Sequence, residues 1–219
     1  MAVIYAIPGL GCNKWIYENL KVKGHSIKVL DWPPVKRHFT LKDYANEFLK
    51  QMDLTHEFYL MGVSFGGMLC IELGEVTEPE KIILISSAKN KNEFPNYFSV
   101  FKYFPVHLLL PESLHRKIAL LSWKLLGFHK GLLPEFNQMI KSMPENHFRY
   151  CINYIVNWDR KSNSKPVIHI HGNGDKLLKY HKIKNVNYTV SNGSHAMVFT
   201  RSGEINQILE EILIDSFIS

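Results

Sequence analysis

Tyr59–Leu69 reads YLMGVSFGGML, and this stretch decides the fold. An apolar run ends at Gly62, and a run with the spacing of a helix begins at Phe65. A strand can turn this sharply into a helix only if side chains do not collide across the turn, so glycine is needed at Gly62 and Gly66. Ser64 then lies at the apex with a strained backbone, beside a helix N-terminus that stabilises negative charge.

The pattern Gly-x-Ser-x-Gly in this stretch is typical of a nucleophile elbow, which holds a serine hydroxyl away from both the strand and the helix. A glycine-rich turn with an ordinary serine would match the same short pattern. Whether Ser64 is a nucleophile therefore depends on which other side chains the fold brings to it.

Length and composition indicate a globular protein with one domain. The chain has 219 residues, 46% hydrophobic and 21% charged, which is ordinary for a domain with room for an insertion. No apolar run is long enough to span a bilayer, and Met1–Pro8 lacks the basic start of a signal peptide. Cys12, Cys70 and Cys151 show neither disulfide nor zinc spacing, which favours a reducing compartment. We predict a cytoplasmic protein without stable membrane insertion.

The positive charge is concentrated in one part of the chain. The net charge is +6, and residues 89–165 contain twelve Lys and Arg against five acidic residues, which leaves the remainder near neutral. This excess is either a solvated basic face or a means of attracting an anionic substrate or surface. No nucleic-acid-binding motif accompanies the charge, so we do not expect nucleic acid as a partner.

Short apolar runs alternate with helical ones at both ends of the chain. The predicted strands are Ala2–Ile7, His25–Leu30, Glu57–Val63, Glu80–Ser86, Pro166–His171 and Val186–Val190. The predicted helices between and after them follow Asn13, follow Thr40 with an acid three residues on, span Phe65–Val76, and close the chain at Glu204–Phe217. The alternation predicts an α/β fold, a mostly parallel, doubly wound sheet.

The alternation breaks between residues 89 and 162. No strong strand is predicted there, but Leu114–Leu126, Pro134–Met143 and Glu145–Trp158 have helical periodicity. We therefore expect a core of residues 1–88 and 163–219, with residues 89–162 as a helical cap. The segment also contains an aromatic cluster, interpreted either as core beneath the cap or as the lining for an acyl group: Phe94, Tyr97, Phe98, Phe101, Tyr103 and Phe104.

Four loops that contain candidate site residues each follow a predicted strand. They contain Gly9–Asn13, Ser64, Asp175 and His195, and the carboxyl ends of parallel strands meet at one edge of a sheet. A serine hydroxyl becomes a nucleophile when a histidine takes its proton and a carboxylate orients that histidine. The topology therefore brings the three parts of such a site together.

The same loops resemble those of the α/β-hydrolases. Gly62–Gly67 resembles the family's elbow, His171–Asp175 (HGNGD) its His-Gly-x-x-Asp acid loop, and Gly193–His195 its Gly-x-His loop before the last helix. The order Ser, Asp, His along the chain is also the order in this family. With the loop after the first strand, the matches extend over nearly the whole chain.

The resemblance implies a catalytic triad of Ser64, Asp175 and His195. It also implies that the backbone N–H groups of Leu10 and Phe65 form an oxyanion hole, which stabilises the negative charge on a substrate carbonyl oxygen. Such a site needs no metal and no organic cofactor.

The sequence departs from the family pattern in three ways. Pro8 stands where the family often has the histidine of a His-Gly-x loop, so the conformation of the loop at Leu10 is less strongly specified. Asp31–Pro34 (DWPP) lacks the glycines of the family's Asp-x-x-Gly-x-Gly loop. The family's first two antiparallel strands have no counterpart, and we expect an N-terminally trimmed version of the fold.

Each predicted site residue has a structural alternative. Asp175 would serve equally as a turn-forming residue after a glycine, Asp159 is a rival acid, and His195 would fit as a loop histidine bonded to backbone. His169 and His171 are two apart on a strand, and we expect that not both lie in the core. We assign His171 a structural role near the acid loop and do not expect this pair to bind a metal.

The predicted function is a serine hydrolase that acts on a small-molecule carboxylic ester or thioester, with anionic substrates favoured by the basic cap. The alternatives are a lyase- or synthase-like enzyme or a C–C bond hydrolase of the same fold, and a ligand-binding homologue without catalysis. A membrane-surface lipase would require an exposed apolar patch on the cap. The sequence predicts no particular oligomeric state.

Overall fold

A six-stranded sheet forms the centre of the protein. The computed structural model describes residues 2–94 and 97–214, and the statements below refer to them. The strands are β1 Val3–Ile7, β2 Ser26–Val29, β3 Phe58–Val63, β4 Ile82–Ile85, β5 Val167–Gly172 and β6 Tyr188–Val190. Their order across the sheet is β2-β1-β3-β4-β5-β6, and every neighbouring pair is parallel. The six predicted strands and the parallel sheet are confirmed.

Nine α-helices lie in the described residues. They are α1 Leu41–Glu47, α2 Phe65–Gly74, α3 Tyr97–Tyr103, α4 Glu112–Leu121, α5 Trp123–Leu126, α6 Leu133–Lys141, α7 His147–Asn157, α8 Met197–Thr200 and α9 Ser202–Ile214. The predicted cap at Thr40 is confirmed, because its side chain and that of Asp43 each bond the other's backbone N–H. The helix predicted after Asn13 is only a 3₁₀ turn, Lys14–Tyr17. Phe217, the predicted end of the last helix, lies outside the described residues.

Both faces of the sheet are covered. In β1, Ile4 and Ala6 belong to an apolar cluster that includes α9, whereas Tyr5 and Ile7 belong to a second cluster that includes α1 and α2. Successive residues of a strand point to opposite faces, so a strand buried on both sides has a continuous apolar sequence. This explains why the strands were recognisable as apolar runs, and it confirms the doubly wound arrangement.

The segment 89–162 lies between β4 and β5, and its regular structure is helical, from α3 to α7. Its end is fastened to the core through Glu72 of α2, whose carboxylate is almost fully buried. The indole N–H of Trp158 donates to Glu72 Oε1 over 2.7 Å, and Arg160 donates to both carboxylate oxygens over 2.7 and 2.9 Å. No helix among the described residues is long and apolar enough to cross a bilayer.

Part of the aromatic cluster of this segment lies outside the core, although Phe94 is partly buried and packs against the second apolar cluster. The side chains of Tyr103 and Phe104 are 77% and 68% exposed, and Phe101 is at the rim of a cavity. The interpretation as core is therefore wrong for these three residues. Their helix, α3, packs against α7. The side chains of Tyr97 and Phe98 lie outside the described part.

Candidate active site

The turn from β3 to α2 has the geometry of an elbow. Ser64 lies at its apex with φ 53° and ψ −120°, a backbone conformation that costs energy for any residue except glycine. A Cβ atom on Gly62 would lie 2.4 Å from the backbone of Gly66, and one on Gly66 would lie 2.0 Å from the carbonyl oxygen of Ile7. Glycine is thus required at both positions, at Gly62 for the predicted reason of a collision across the turn and at Gly66 because the end of β1 lies against it.

Ser64, His195 and Asp175 are hydrogen-bonded in series. Ser64 Oγ lies 2.9 Å from His195 Nε2, and His195 Nδ1 lies 2.7 Å from Asp175 Oδ2. The three residues follow β3, β6 and β5, so the sheet brings them to the same edge although 131 positions separate the serine from the histidine. The rival acid, Asp159, is exposed at the far end of segment 89–162.

The two oxygens of Asp175 have different partners. Oδ1 accepts hydrogen bonds from the backbone N–H groups of Leu177 and Leu178, over 2.8 and 2.9 Å, while Oδ2 faces His195. Burial alone raises the pKa of Asp175, but the charge and hydrogen bond of His195, with the Leu178 N–H, outweigh it and lower the pKa. Asp175 can therefore close a turn with one carboxylate oxygen and orient His195 with the other.

The loops that carry Asp175 and His195 interlock through their backbones. The N–H of Gly174 donates to Gly193 O over 3.1 Å, and the N–H of Asn173 donates to Val190 O over 3.2 Å. A Cβ atom on Gly172 would lie 2.1 Å from Gly193 O. These close approaches fix the position of one loop relative to the other.

A buried chain of titratable side chains lies behind Asp175, and the sequence did not predict it. Lys89 Nζ is 3.0 Å from His169 Nδ1, His169 Nε2 is 3.3 Å from His171 Nδ1, and His171 Nε2 is 2.8 Å from Leu178 O. An ammonium group only donates, so each imidazole accepts at Nδ1 and donates at Nε2. Burial lowers the pKa of both histidines, which keeps them neutral.

His169 and His171 are both fully buried, so the expectation that not both would lie in the core is wrong. Residues two apart on a strand share a face, and both faces of this sheet are covered. His171 does lie beside the acid loop, with Nε2 3.5 Å from Asp175 Oδ2. Within residues 2–94 and 97–214, no group of three His, Cys, Asp or Glu residues could hold a metal ion.

The loop after β1 lies against the elbow. A Cβ atom on Gly9 would be 3.4 Å from the Cβ of Ser64, and Leu10 and Phe65 line the same cavity as that serine. In the part of the chain that the structure describes, the N–H groups of Leu10 and Phe65 have no hydrogen-bond acceptor. They are therefore available to a bound oxyanion.

Trp32 holds this loop, a role that the sequence analysis missed. Its indole N–H donates to Cys12 O over 2.6 Å, and its ring stacks on Phe65 with 5.8 Å between ring centroids. Trp32 belongs to the DWPP stretch that departs from the family's glycine-rich loop. A tryptophan in that position was visible in the sequence, but nothing local indicated its partners.

A cavity of about 420 Å³ opens at Ser64 and His195. Most of its wall is apolar and comes from segment 89–162, and its lining there includes Phe94, Phe101, Leu110, Ile118, Leu125, Phe148, Ile152 and Ile155. The imidazoles of His107 and His115 also line it, and both ring nitrogens of His115 lack a hydrogen-bond partner among the described residues. The described lining contains no Lys or Arg, so the positive charge of the segment lies outside the cavity.

Comparison with solved structures identifies the fold, whereas neither the protein-family models nor the curated proteins searched gave a match. A hydrolase from Pseudomonas aeruginosa PA01 superposes with a TM-score of 0.74 at 13% identity, over 97% of this chain and 89% of its own. A thermophilic esterase from Thermogutta terrifontis gives 0.69 at 13% identity, over 98% and 90%. The enol-lactonase from Burkholderia xenovorans LB400 gives 0.68 at 15% identity, over 97% and 91%.

At these identities the likeness shows the fold, and the chain has the α/β-hydrolase fold. The predicted resemblance is thereby confirmed at the level of architecture. The similar structures also include other esterases, a lipase and ClbQ from the colibactin NRPS/PKS pathway, so one architecture carries several activities. What this chain does must therefore be argued from its own site.

Proposed function

We propose that this protein is a serine hydrolase that cleaves a carboxylic ester or thioester through an acyl-enzyme intermediate. The observation that carries the proposal is the series Ser64–His195–Asp175, with distances of 2.9 and 2.7 Å, of which Ser64 and His195 line an apolar cavity. A serine, a histidine and a carboxylate in this order form a nucleophile, its base and the group that orients the base.

In the acylation step, Ser64 Oγ attacks the carbonyl carbon while His195 Nε2 takes the hydroxyl proton. The carbonyl oxygen becomes an oxyanion, and the free N–H groups of Leu10 and Phe65 are the donors proposed to stabilise it. His195 then gives the proton to the leaving alcohol or thiol as the C–O or C–S bond breaks. The acyl group remains on Ser64 as an ester.

In the deacylation step, His195 takes a proton from water, and the resulting hydroxide attacks the acyl-enzyme carbonyl. The proton returns to Ser64 Oγ as the carboxylic acid leaves. Asp175 holds the Nδ1–H of His195 throughout and stabilises the imidazolium that forms in each step. Only side chains, backbone N–H groups and water take part, so the proposed reaction uses no metal or organic cofactor.

The cavity lining points to a neutral, apolar acyl group rather than an anionic one. An anion would find no Lys or Arg in the described lining, whereas aliphatic and aromatic carbon surrounds the space in front of Ser64. His107 and His115, kept neutral by burial that lowers their pKa values, are the polar groups there that a substrate could meet. We therefore propose an alkyl or aryl ester or thioester of modest size.

Residues 89–162 are proposed to act as the cap over this site. They supply most of the wall of the cavity, and Leu126 O accepts a hydrogen bond of 2.8 Å from the N–H of Ala196, next to His195. A cap in this position would exclude water from the acyl-enzyme and limit substrate size. The core is then formed by residues 1–88 and 163–219. We place the protein in the cytoplasm, a setting in which Cys12, Cys70 and Cys151 would stay free thiols.

The test is hydrolysis of p-nitrophenyl esters of increasing chain length, together with labelling by a fluorophosphonate. Wild type should turn over the esters and be labelled, and Ser64→Ala should lose about four orders of magnitude or more in kcat and all labelling. Ser113→Ala, an exposed serine of α4, is the matched control and should behave as wild type. Labelling that persists in Ser64→Ala would contradict the assignment, and wild type that binds esters without turnover or labelling would favour the non-catalytic alternative.

A further inference from the structure

Exposed apolar side chains are concentrated in one stretch of segment 89–162. Of the twelve large apolar residues that are exposed in the described chain, ten lie between Val100 and Leu125. The most exposed are Leu109 at 84%, Tyr103 at 77% and Leu121 at 71%. These ten residues are called the apolar face below. Single exposed leucines are ordinary on protein surfaces, but a concentration of this kind marks an interaction site.

The spacing within α4 and α5 shows that these residues form a continuous stripe. Leu114, Ile118, Leu121 and Leu125 follow one another at intervals of four, three and four residues, which places the first three on one side of α4 and continues the same spacing into α5. Such a stripe normally packs against the rest of the protein. Here all four side chains are exposed.

The apolar face is continuous with the mouth of the cavity. Phe101, Ile118 and Leu125 are exposed to solvent and also line the cavity that contains Ser64. A molecule that covered the apolar face would therefore lie directly over the entrance to the proposed active site.

The exposed charge around the apolar face is positive. Residues 97–130 contain five Lys and Arg and a single acidic residue, Glu112. The Glu112 side chain is only 14% exposed and lies 3.6 Å from Arg116, whereas Lys102, Lys117 and Lys124 are exposed among the apolar residues. The face thus combines apolar side chains with exposed lysines.

We propose that the apolar face docks on an anionic lipid surface. Its aliphatic side chains and Phe104 would enter the boundary between headgroups and acyl chains, Tyr103 would stay at headgroup level, and the lysines would contact lipid phosphates. A protein partner fits less well, because protein interfaces are depleted in lysine and the cations of this face are mostly lysines.

If the protein docks in this orientation, the lipid phase itself becomes the source of the substrate. Lipophilic esters dissolved in the lipid would reach the cavity past Phe101, Ile118 and Leu125 without crossing bulk water. This consequence rests on the proposed hydrolase function, whereas the docking itself does not, and the two are tested separately below.

Docking is measured with the full chain carrying Ser64→Ala, so that lipid hydrolysis cannot change the vesicles. The protein is sedimented with vesicles of phosphatidylcholine, either alone or mixed with phosphatidylglycerol. We expect stronger binding to the mixed vesicles, and a loss of about tenfold or more when Leu109→Ser and Leu121→Ser are added. Neither residue lines the cavity. The matched control is Leu54→Ser with Val76→Ser, two exposed apolar residues outside the segment, and it should bind as before.

Three outcomes would overturn the docking proposal. They are the absence of vesicle binding, equal losses in the two double variants, and gel filtration showing that Leu109→Ser with Leu121→Ser only splits a dimer. Turnover of a water-soluble p-nitrophenyl ester by the otherwise wild-type chain is measured in parallel. Docking without turnover would contradict the proposed function alone, and turnover without docking would contradict the docking alone.

Discussion

At the scale of single residues, Asp175 shows how one side chain can close a turn and also hold a histidine. Oδ1 closes the turn at Leu177 and Leu178, and this leaves Oδ2 directed at His195. Because the turn fixes the carboxylate, the orientation of His195 does not depend only on the loop that carries it. The carboxylate is preferred over the acid in the folded protein, as its lowered pKa indicates.

This lowered pKa predicts how Asp175→Asn changes stability with pH. A carboxyl group whose pKa is lower when folded stabilises the protein above its unfolded pKa, about 4, and that contribution is lost as the pH falls through the folded pKa. We expect the variant to have a lower free energy of unfolding than wild type at pH 7, and the difference to shrink below about pH 4. Urea denaturation over this pH range measures it, with exposed Asp159→Asn as the control. A difference independent of pH would contradict the prediction.

The buried chain behind Asp175 predicts a second effect at this scale. Lys89 is the cation beside both His169 and the buried carboxylate of Glu93, whose Oε1 lies 3.3 Å from Lys89 Nζ. Lys89→Met leaves that buried carboxylate without its cationic partner, so the free energy of unfolding should fall by about 3 kcal/mol.

Adding Glu93→Gln to Lys89→Met should restore part of the loss, because the uncompensated charge is removed. Recovery stays partial, since the glutamine has one acceptor oxygen where Glu93 accepts from the N–H groups of both Lys89 and Lys184. Urea denaturation of the single and double variants measures both effects. If Lys89→Met were as stable as wild type, the buried series Lys89–His169–His171 and its contact with Glu93 would contribute little to the free energy of unfolding.

At the scale of elements, Arg116 joins two helices of segment 89–162. Its guanidinium group, on α4, donates to four carbonyl oxygens at the end of α6, those of Ile140, Lys141, Met143 and Pro144, over 2.6 to 3.1 Å. The last turn of a helix leaves carbonyl groups without partners inside the helix, and a guanidinium group has five donors to supply. One side chain thus completes the end of α6 and holds it against α4.

We expect Arg116→Met to lower the free energy of unfolding by about 2–3 kcal/mol, because several partly buried carbonyl groups lose charge-assisted donors. Arg116→Lys should recover little, since an ammonium group cannot span four carbonyl oxygens. The control is Lys117→Met, which changes the same charge at the next, exposed position. Chemical denaturation measures all three, and equal losses at the two positions would show that charge rather than geometry matters.

At the scale of the whole molecule, the parallel sheet gathers the site from loops that are far apart in sequence, and segment 89–162 supplies most of the wall of the cavity there. The side of this segment toward Ser64 is apolar, and Lys102, Lys117 and Lys124 are exposed on its surface, whereas Lys89 at its start is mostly buried. The excess of positive charge seen in the sequence is therefore a property of the protein's exterior. The apolar groups that the cavity could bind are thus kept apart from the anions that the exterior could attract.

The whole proposed site consists of side chains and backbone groups, which predicts that chelation has no effect. Among the described residues no cluster of ligands could hold a metal ion. Esterase activity measured before and after dialysis against EDTA should be equal, and added Zn²⁺ or Mg²⁺ should not raise it. A loss on dialysis that one of these ions restores would show that the mechanism is incomplete.

The sequence by itself determined the sheet, the elbow and the identity of the residues at its edge. Buried strands appear as apolar runs and tight turns need glycine, and these are local constraints that the chain displays wherever they act. The same reasoning placed Ser64, Asp175 and His195 after three strands, although their catalytic roles stay a prediction until the variants are measured.

Only the tertiary structure decided what depends on contacts between distant segments. It placed Lys89 against His169, tied Trp32 to Cys12, and left Tyr103 and Phe104 in solvent where the sequence suggested either core or the lining for an acyl group. An apolar pattern shows that a helix has an apolar side, but not whether another element covers that side. Coverage is set by packing across the whole molecule, and for this reason the apolar face around the cavity could be recognised only in the folded protein.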